Sequence, residues 1–217
     1  MWNESNIATP AAGVPASDAR KRGVRLESPF IGAADLLNAH QARASKHFVM
    51  RERAFLDLVN VRGDLSDPAF VGAFEGVVGC CPPAAPNTVA RGTAYDVLWL
   101  GPDEWLVRSN EPVPAGVLEP KLAQAIAGAY AAAVDVGSGY TVVEISGGRV
   151  RDVLARGCPL DLHPRVFEPG QCAQSHYFKA SIVLVPTGVD RFEVVLRRSF
   201  ADYFCRIMLD AAAPLTS

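Results

Sequence analysis

The stretch from Ser146 to Ser175 limits the possible folds more than any other part of the chain. It opens on Gly147 and Gly148, which let the backbone turn sharply out of the apolar run Val142–Ile145. Val150, Val153, Leu154 and Gly157 then recur at helical spacing, with Arg149, Arg151, Asp152 and Arg156 on the opposite face. Gly157 is placed to stop that helix, and Pro159 keeps it from resuming. The next segment, CPLDLHPRVFEPGQCAQS, is broken by prolines yet still carries Leu160, Leu162 and Phe167, which need burial. A loop that stays apolar without regular structure is pinned against something.

The rest of the chain alternates strand and helix patterns. Ser28–Lys46 holds a short helix around Ala34–Ala39, and His47–Met50 and Phe55–Arg62 read as strands. Ser66-Asp67-Pro68 is an N-cap followed by a first-turn proline, and Phe70, Phe74, Val77 and Val78 give the helix after it one apolar face. Tyr95–Leu100 and Trp105–Arg108 flank the turn 101–104 as a β-hairpin. Trp99 and Trp105 beside that turn fit cross-strand packing better than a stacking surface for a cofactor. Glu119–Ala133 is helical by period and alanine content. Val134–Val136, Tyr140–Ser146, Tyr177–Val185 and Arg191–Leu196 are extended. The last helix starts at Ser199 and repeats Phe200, Tyr203, Phe204, Ile207, Met208 and Ala211 on one face.

That order, β-α-β-β-α-β followed by β-α-β-β-α, predicts an α+β fold: a doubled split-βαβ arrangement of the ferredoxin-like kind. Residues 28–217 form one domain of two intertwined halves, about 47–136 and 137–213. Residues 1–27, rich in Ala, Pro, Ser, Asn and Gly, are either a plain tail or an arm that orders on a partner through Trp2 and Ile7. In the isolated chain the segment is expected to be mobile.

With 217 residues the chain can bury a self-sufficient core. A net charge of −2 and a pI near 6.1 argue against nucleic-acid or polybasic membrane partners. No apolar run approaches the ~20 residues of a membrane span, and no signal-peptide core is visible. An odd count of cysteines, Cys80, Cys81, Cys158, Cys172 and Cys205, reads as reduced thiols, so the expected compartment is the cytoplasm.

Three passages carry a family resemblance. Arg151–Gln174 (RDVLARGCPLDLHPRVFEPGQCAQ), Leu100–Val107 (LGPDEWLV) and Arg197–Phe204 (RRSFADYF) resemble, in matching order and spacing, the gamma-subunit family of heterotetrameric sarcosine oxidase. The resemblance covers roughly residues 25 to 213. It implies a fold like the folate-binding domain of the glycine-cleavage aminomethyltransferase. It also implies alpha, beta and delta subunits as partners, in a complex that oxidatively demethylates sarcosine or a related N-methyl amine. The implied chemistry uses O2 and tetrahydrofolate and yields glycine, methylenetetrahydrofolate and H2O2. FAD, FMN, NAD, zinc and tetrahydrofolate are implied to sit in the partner subunits, leaving this chain architectural.

The residues themselves offer little catalytic chemistry. Cys158, His163, Cys172 and His176 are zinc-type ligands, but C-x4-H-x8-C-x3-H matches no common finger or ribbon. Buried thiols and loop histidines are the simpler account. A pterin site needs a carboxylate, for which Glu144 or Asp161 are candidates. Glu144 reads more simply as facing solvent or a partner, and Asp161 as capping loop amides. His40, His47, His163 and His176 are scattered, and neither G-x-S-x-G nor G-x-G-x-x-G occurs in a fitting context. No catalytic, cofactor or metal residue is therefore assigned. An independent folate-binding, aminomethyltransferase-like protein is the competing function.

The central loop, Cys158–Gln174, is the expected partner interface. Leu160 and Phe167 supply apolar contact there, and Asp161, His163 and Arg165 a polar rim. The alternative is a loop folded wholly on its own core.

Overall fold

A computed structural model describes residues 27–42, 45–113 and 116–216; the expectations for residues 1–26, with Trp2 and Ile7, lie outside these. The chain opens on a 3-10 turn at Ile31–Ala33 that leads into helix α1 (Ala34–Ala42). Strands β1 (Val49–Glu52) and β2 (Leu58–Arg62) come next. Helix α2 (Pro68–Val78) is capped as its sequence dictates: the Asp67 carboxylate accepts from Ala69 N at 2.9 Å, Pro68 has no N–H that would need an acceptor, and Gly79 ends the helix at φ 84°.

Strands β3 (Val89–Arg91), β4 (Tyr95–Gly101) and β5 (Glu104–Ser109) precede helix α3 (Leu118–Ala125) and strand β6 (Ala132–Asp135). The second half runs through β7 (Tyr140–Ser146), α4 (Val150–Ala155), β8 (Ala173–Tyr177), β9 (Ala180–Gly188), β10 (Arg191–Arg197) and α5 (Ala201–Thr216).

These strands make two five-stranded antiparallel sheets, ordered β3-β4-β5-β2-β6 and β1-β7-β10-β9-β8. Setting aside edge strand β3, the first is a complete split-βαβ unit, since β2, β4, β5 and β6 lie in the spatial order 4-1-3-2. The second has the same order, but the strand beside β7 is β1, from the other end of the chain. The missing last strand of the second βαββα run is thus supplied by the N-terminal half.

The layers explain the burial. Phe70, Phe74 and Val78 of α2 and Leu118 and Leu122 of α3 cover one face of the first sheet, around Trp105, Val59 and Val61. Leu37 of α1, Val150, Val153 and Leu154 of α4 and Phe204 and Met208 of α5 cover the second. The inner faces meet through Leu56, Leu58, Leu98, Leu106, Val142, Cys172, Val185 and Val195. Because β2 is covered on both faces, Leu58, Val59 and Val61 are all buried and its period-two alternation is muted.

Two local expectations are corrected. The helix expected over Glu119–Ala133 ends at Ala125, and Ala132–Asp135 instead pairs along β2. Alanine-rich propensity yields there to an open sheet edge. The single strand expected over Tyr177–Val185 is two strands, β8 and β9, joined by a tight turn with Phe178 at φ 49°. No glycine or asparagine marks that turn, which is why the sequence does not announce it.

Candidate functional site

The central loop connects α4 to β8 and is fixed at both ends. Gly157 accepts from Phe178 N at 2.9 Å, and a Cβ at position 157 would stand 2.5 Å from the Phe178 ring, so glycine is required by close approach. Leu162 and Phe167 are buried and Leu160 is half-buried, all against the helix-side core of the second sheet. Phe167 stacks on Phe192 with ring centroids 6.3 Å apart, and the Arg151 guanidinium lies 4.8 Å over the same Phe192 ring. Arg151 also donates to the carbonyls of Leu162 and Val189, clamping loop and strand turn together.

The C-terminal arm of the loop crosses to the first sheet. Cys172 N donates to Asn87 O at 2.8 Å, Val89 N to Gly170 O at 2.9 Å, and the Gln174 amide to Leu100 O at 2.7 Å. The Cys172 thiol points between the sheets, 3.4 Å from the carbonyls of Thr88 and Trp99, and burial pushes its pKa up to about 11. The loop is therefore a strap between the two halves.

What it leaves outside is narrow. Asp161, His163 and Arg165 are exposed, and Val166 is 54% exposed. Asp161 caps the loop by accepting from His163 N at 2.9 Å, while His163 Nδ1 accepts from Arg165 N at 3.2 Å. The polar residues of the expected interface are thus brought together on one turn. Phe167, at 7% exposure, is spent on the chain's own core, and Leu160 partly so.

The other candidate residues are dispersed. Cys158 is buried and lies 3.6 Å from the Ser175 hydroxyl, whereas Cys172 belongs to the layer between the sheets. Among the described residues no three His, Cys, Asp or Glu side chains gather as a metal site. Glu144 is half-buried on β7, 4.0 Å from the Arg191 guanidinium. Trp99 and Trp105 face each other across the β4–β5 hairpin. Trp105 is wholly buried against Phe70 and donates to Pro83 O at 2.9 Å, so its ring is not available for stacking a ligand.

The largest chemical feature is one the sequence reading missed. Asp96 on β4, Arg108 on β5 and Glu193 on β10 are each about 3% exposed and meet at one end of the layer between the sheets. Arg108 bridges them, 2.8 Å from Asp96 and 2.8 Å from Glu193. Arg53 completes Glu193, and Arg91 completes Asp96 at 2.7 Å. Asp96 and Arg108 are direct cross-strand partners, in phase with the apolar pair Leu98 and Leu106 farther along. The layer is therefore apolar in its middle and ionic at this end, where a cleft of about 410 Å³ opens. The available signal was a charged residue standing at a core-facing position of an apolar strand, as in YDVLWL and RFEVVL. A fully paired network of this kind fixes how one sheet sits on the other; it presents no activated nucleophile.

Comparison with known proteins bears on this architecture. The family described as "Sarcosine oxidase, gamma subunit family" matches residues 62–214. The chain is similar to the sarcosine oxidase subunit gamma of an Arthrobacter species, 32% identical over 172 residues, covering 78% of this chain and 82% of the relative. It is 28% identical over 199 residues to the sarcosine oxidase subunit gamma of Corynebacterium sp. strain U-96, covering 88% and 91%.

Among solved structures, one chain of the heterotetrameric sarcosine oxidase from Corynebacterium sp. U-96, in complex with pyrrole 2-carboxylate, superposes with a TM-score of 0.78. That match has 27% identity and covers 88% of this chain and 97% of the other. The glycine cleavage system aminomethyltransferase T from Bartonella henselae superposes with a TM-score of 0.59 at 13% identity, covering 80% of this chain and 48% of that one. That second likeness shows a shared fold.

Proposed function

Because the chain belongs to the sarcosine oxidase gamma subunit family, we propose that it is the architectural gamma subunit of a heterotetrameric, sarcosine oxidase-type complex. In this reading its partners are alpha, beta and delta subunits, and the assembly works in the cytoplasm. The complex oxidatively demethylates sarcosine or a related N-methyl amine with O2 and tetrahydrofolate, giving glycine, methylenetetrahydrofolate and H2O2. FAD, FMN, NAD, zinc and tetrahydrofolate belong to the partner subunits, and this chain alone is inactive.

The observation that carries the reading is the strap. Leu162, Phe167 and Cys172 anchor it in the chain's own interior, and it holds Asp161, His163, Arg165 and Val166 outward on a fixed base. A rigid, mixed polar and apolar edge suits a partner contact because little ordering entropy is lost on binding. The interface assigned to Leu160, Asp161, His163, Arg165 and Phe167 accordingly divides in two. Leu160 and Phe167 support from behind, and the three polar residues make contact.

The test is the double variant Asp161→Ala with Arg165→Ala, co-expressed with the partner subunits. The expected result is an isolated chain whose melting temperature falls by under about 2 °C, together with failure to recover the full assembly. Normal assembly with an earlier-melting isolated chain would make the strap a brace and the interface reading wrong. Tetrahydrofolate titration and elemental analysis of the isolated chain test the architectural role. Stoichiometric zinc, or saturable folate binding, would favour an independent aminomethyltransferase-like protein.

A further inference from the structure

The edges of the two sheets are not finished alike. The edge of β3 is closed by the strap, where Val89 N donates to Gly170 O at 2.9 Å, and on β1 the Gln41 amide donates to Met50 O at 3.2 Å. The edge of β6 is bare among the described residues. Val136 N donates to Leu58 O at 2.9 Å, and the register pairs Val134 with Asn60 and Ala132 with Arg62. By the alternation of an antiparallel ladder, Ala133 and Asp135 then turn their N–H and C=O groups outward.

Nothing in the sequence guards that edge. Residues 131–136 have no lysine, no proline and no bulge against β2, and their single charge, Asp135, accepts from Gly137 N at 2.8 Å. Val134 is 54% exposed, and Tyr130, just before the strand, is wholly exposed. Tyr130, Ala131 and Ala132 also wall a depression of about 690 Å³ whose other sides include Arg62, Asp64 and Asp103. The Arg62 guanidinium lies 2.7 Å from Asp103 and 3.3 Å from Glu104, so three carboxylates there face one cation. At the far end of β6, Asp135 shares a groove with Glu27, Arg53 and Arg198, where the charges balance.

We propose that β6 accepts an extended segment of a partner subunit as a sixth strand of its sheet. The added segment pairs with Ala133 and Asp135 through its main chain and lays an apolar side chain beside Val134. Its lysine or arginine enters the depression, where the Tyr130 ring and the excess of carboxylates receive it. A second copy of this chain fits worse, because residues 129–138 hold no cation to offer. The proposal rests on the assembly reading above and goes beyond it, placing a second contact on the first sheet.

Hydrogen exchange read by mass spectrometry, on the full-length chain alone and in the complex co-expressed with its partner subunits, tests it. The expected result is that the Ala133 and Asp135 amides exchange freely in the chain alone and at least about tenfold more slowly in the complex. Ala133→Pro removes an outward donor without touching the bonds to β2. That variant alone should melt within about 2 °C of the parent, yet assemble at least about tenfold more weakly. A complex that forms with both amides still exchanging freely overturns the proposal and leaves the assembly reading standing. Co-expression that gives no complex overturns both. Protection already present in the chain alone, whether from a second copy or from residues 1–26, also overturns the proposal, as does an Ala133→Pro chain that assembles at parental affinity. The exchange measurement uses the unmodified chain, so it decides even if Ala133→Pro fails to fold.

Discussion

Replacing Arg108 with methionine isolates the role of the ionic end of the layer between the sheets. The substitution keeps an unbranched side chain on β5 but removes a guanidinium that is 3% exposed and lies 2.8 Å from both Asp96 and Glu193. Removing one partner from a buried ion pair costs about 3–5 kcal/mol when the other charge is left uncompensated. Here Asp96 keeps Arg91 and Glu193 keeps Arg53, so the loss falls at the low end, about 3 kcal/mol. For a domain of this size that lowers the melting temperature by roughly 6–12 °C. Urea and thermal unfolding of the full-length chain are the assays.

The triple variant Asp96→Asn, Arg108→Met, Glu193→Gln should recover at least half of the loss. It removes the buried charges together, while the Arg53 and Arg91 side chains, 25% and 41% exposed, can turn to water. A single variant within about 1 kcal/mol of the parent, or a triple variant less stable than the single, would refute the reasoning.

Gly63→Ala should destabilise by about 1–3 kcal/mol, because its Cβ would stand 2.4 Å from the ring of Phe70, itself packed on Trp105; a urea midpoint equal to the parent's would contradict this. Iodoacetamide at about pH 8 should label the exposed Cys81 first and leave the buried Cys158, Cys172 and Cys205 untouched until unfolding. Burial raises the Cys172 and Cys205 thiols to about 11 from an ordinary value of 9.0. Their contribution is therefore fully present below pH 9 and is lost as pH climbs through 11, by about 2–3 kcal/mol each. Cys172→Ala should flatten that alkaline slope, and an unchanged slope would count against the assignment.

The elements with local signals were legible in advance. The Asp67-Pro68 start of α2, the β4–β5 hairpin and the apolar face of α5 each follow from backbone chemistry within a few residues. The strap was legible as a segment in need of burial, since Leu162 and Phe167 could not remain in water. What covers them was not legible. Sequence period cannot tell a neighbour's surface from the chain's own sheet, and Phe192, on which Phe167 stacks, lies on a later strand.

The sequence by itself determined the order of helices and of all strands but β3 and β8, the doubled split-βαβ class and the family, because local propensity, caps and motif spacing are carried by adjacent residues. Only the tertiary structure decided three things. It gave β1 to the far sheet, ended α3 early to leave β6 on an open edge, and joined Asp96, Arg108 and Glu193 into one network. Each depends on pairing between residues distant in sequence, where closing the chain and sharing a desolvated charge outweigh any single residue's preference.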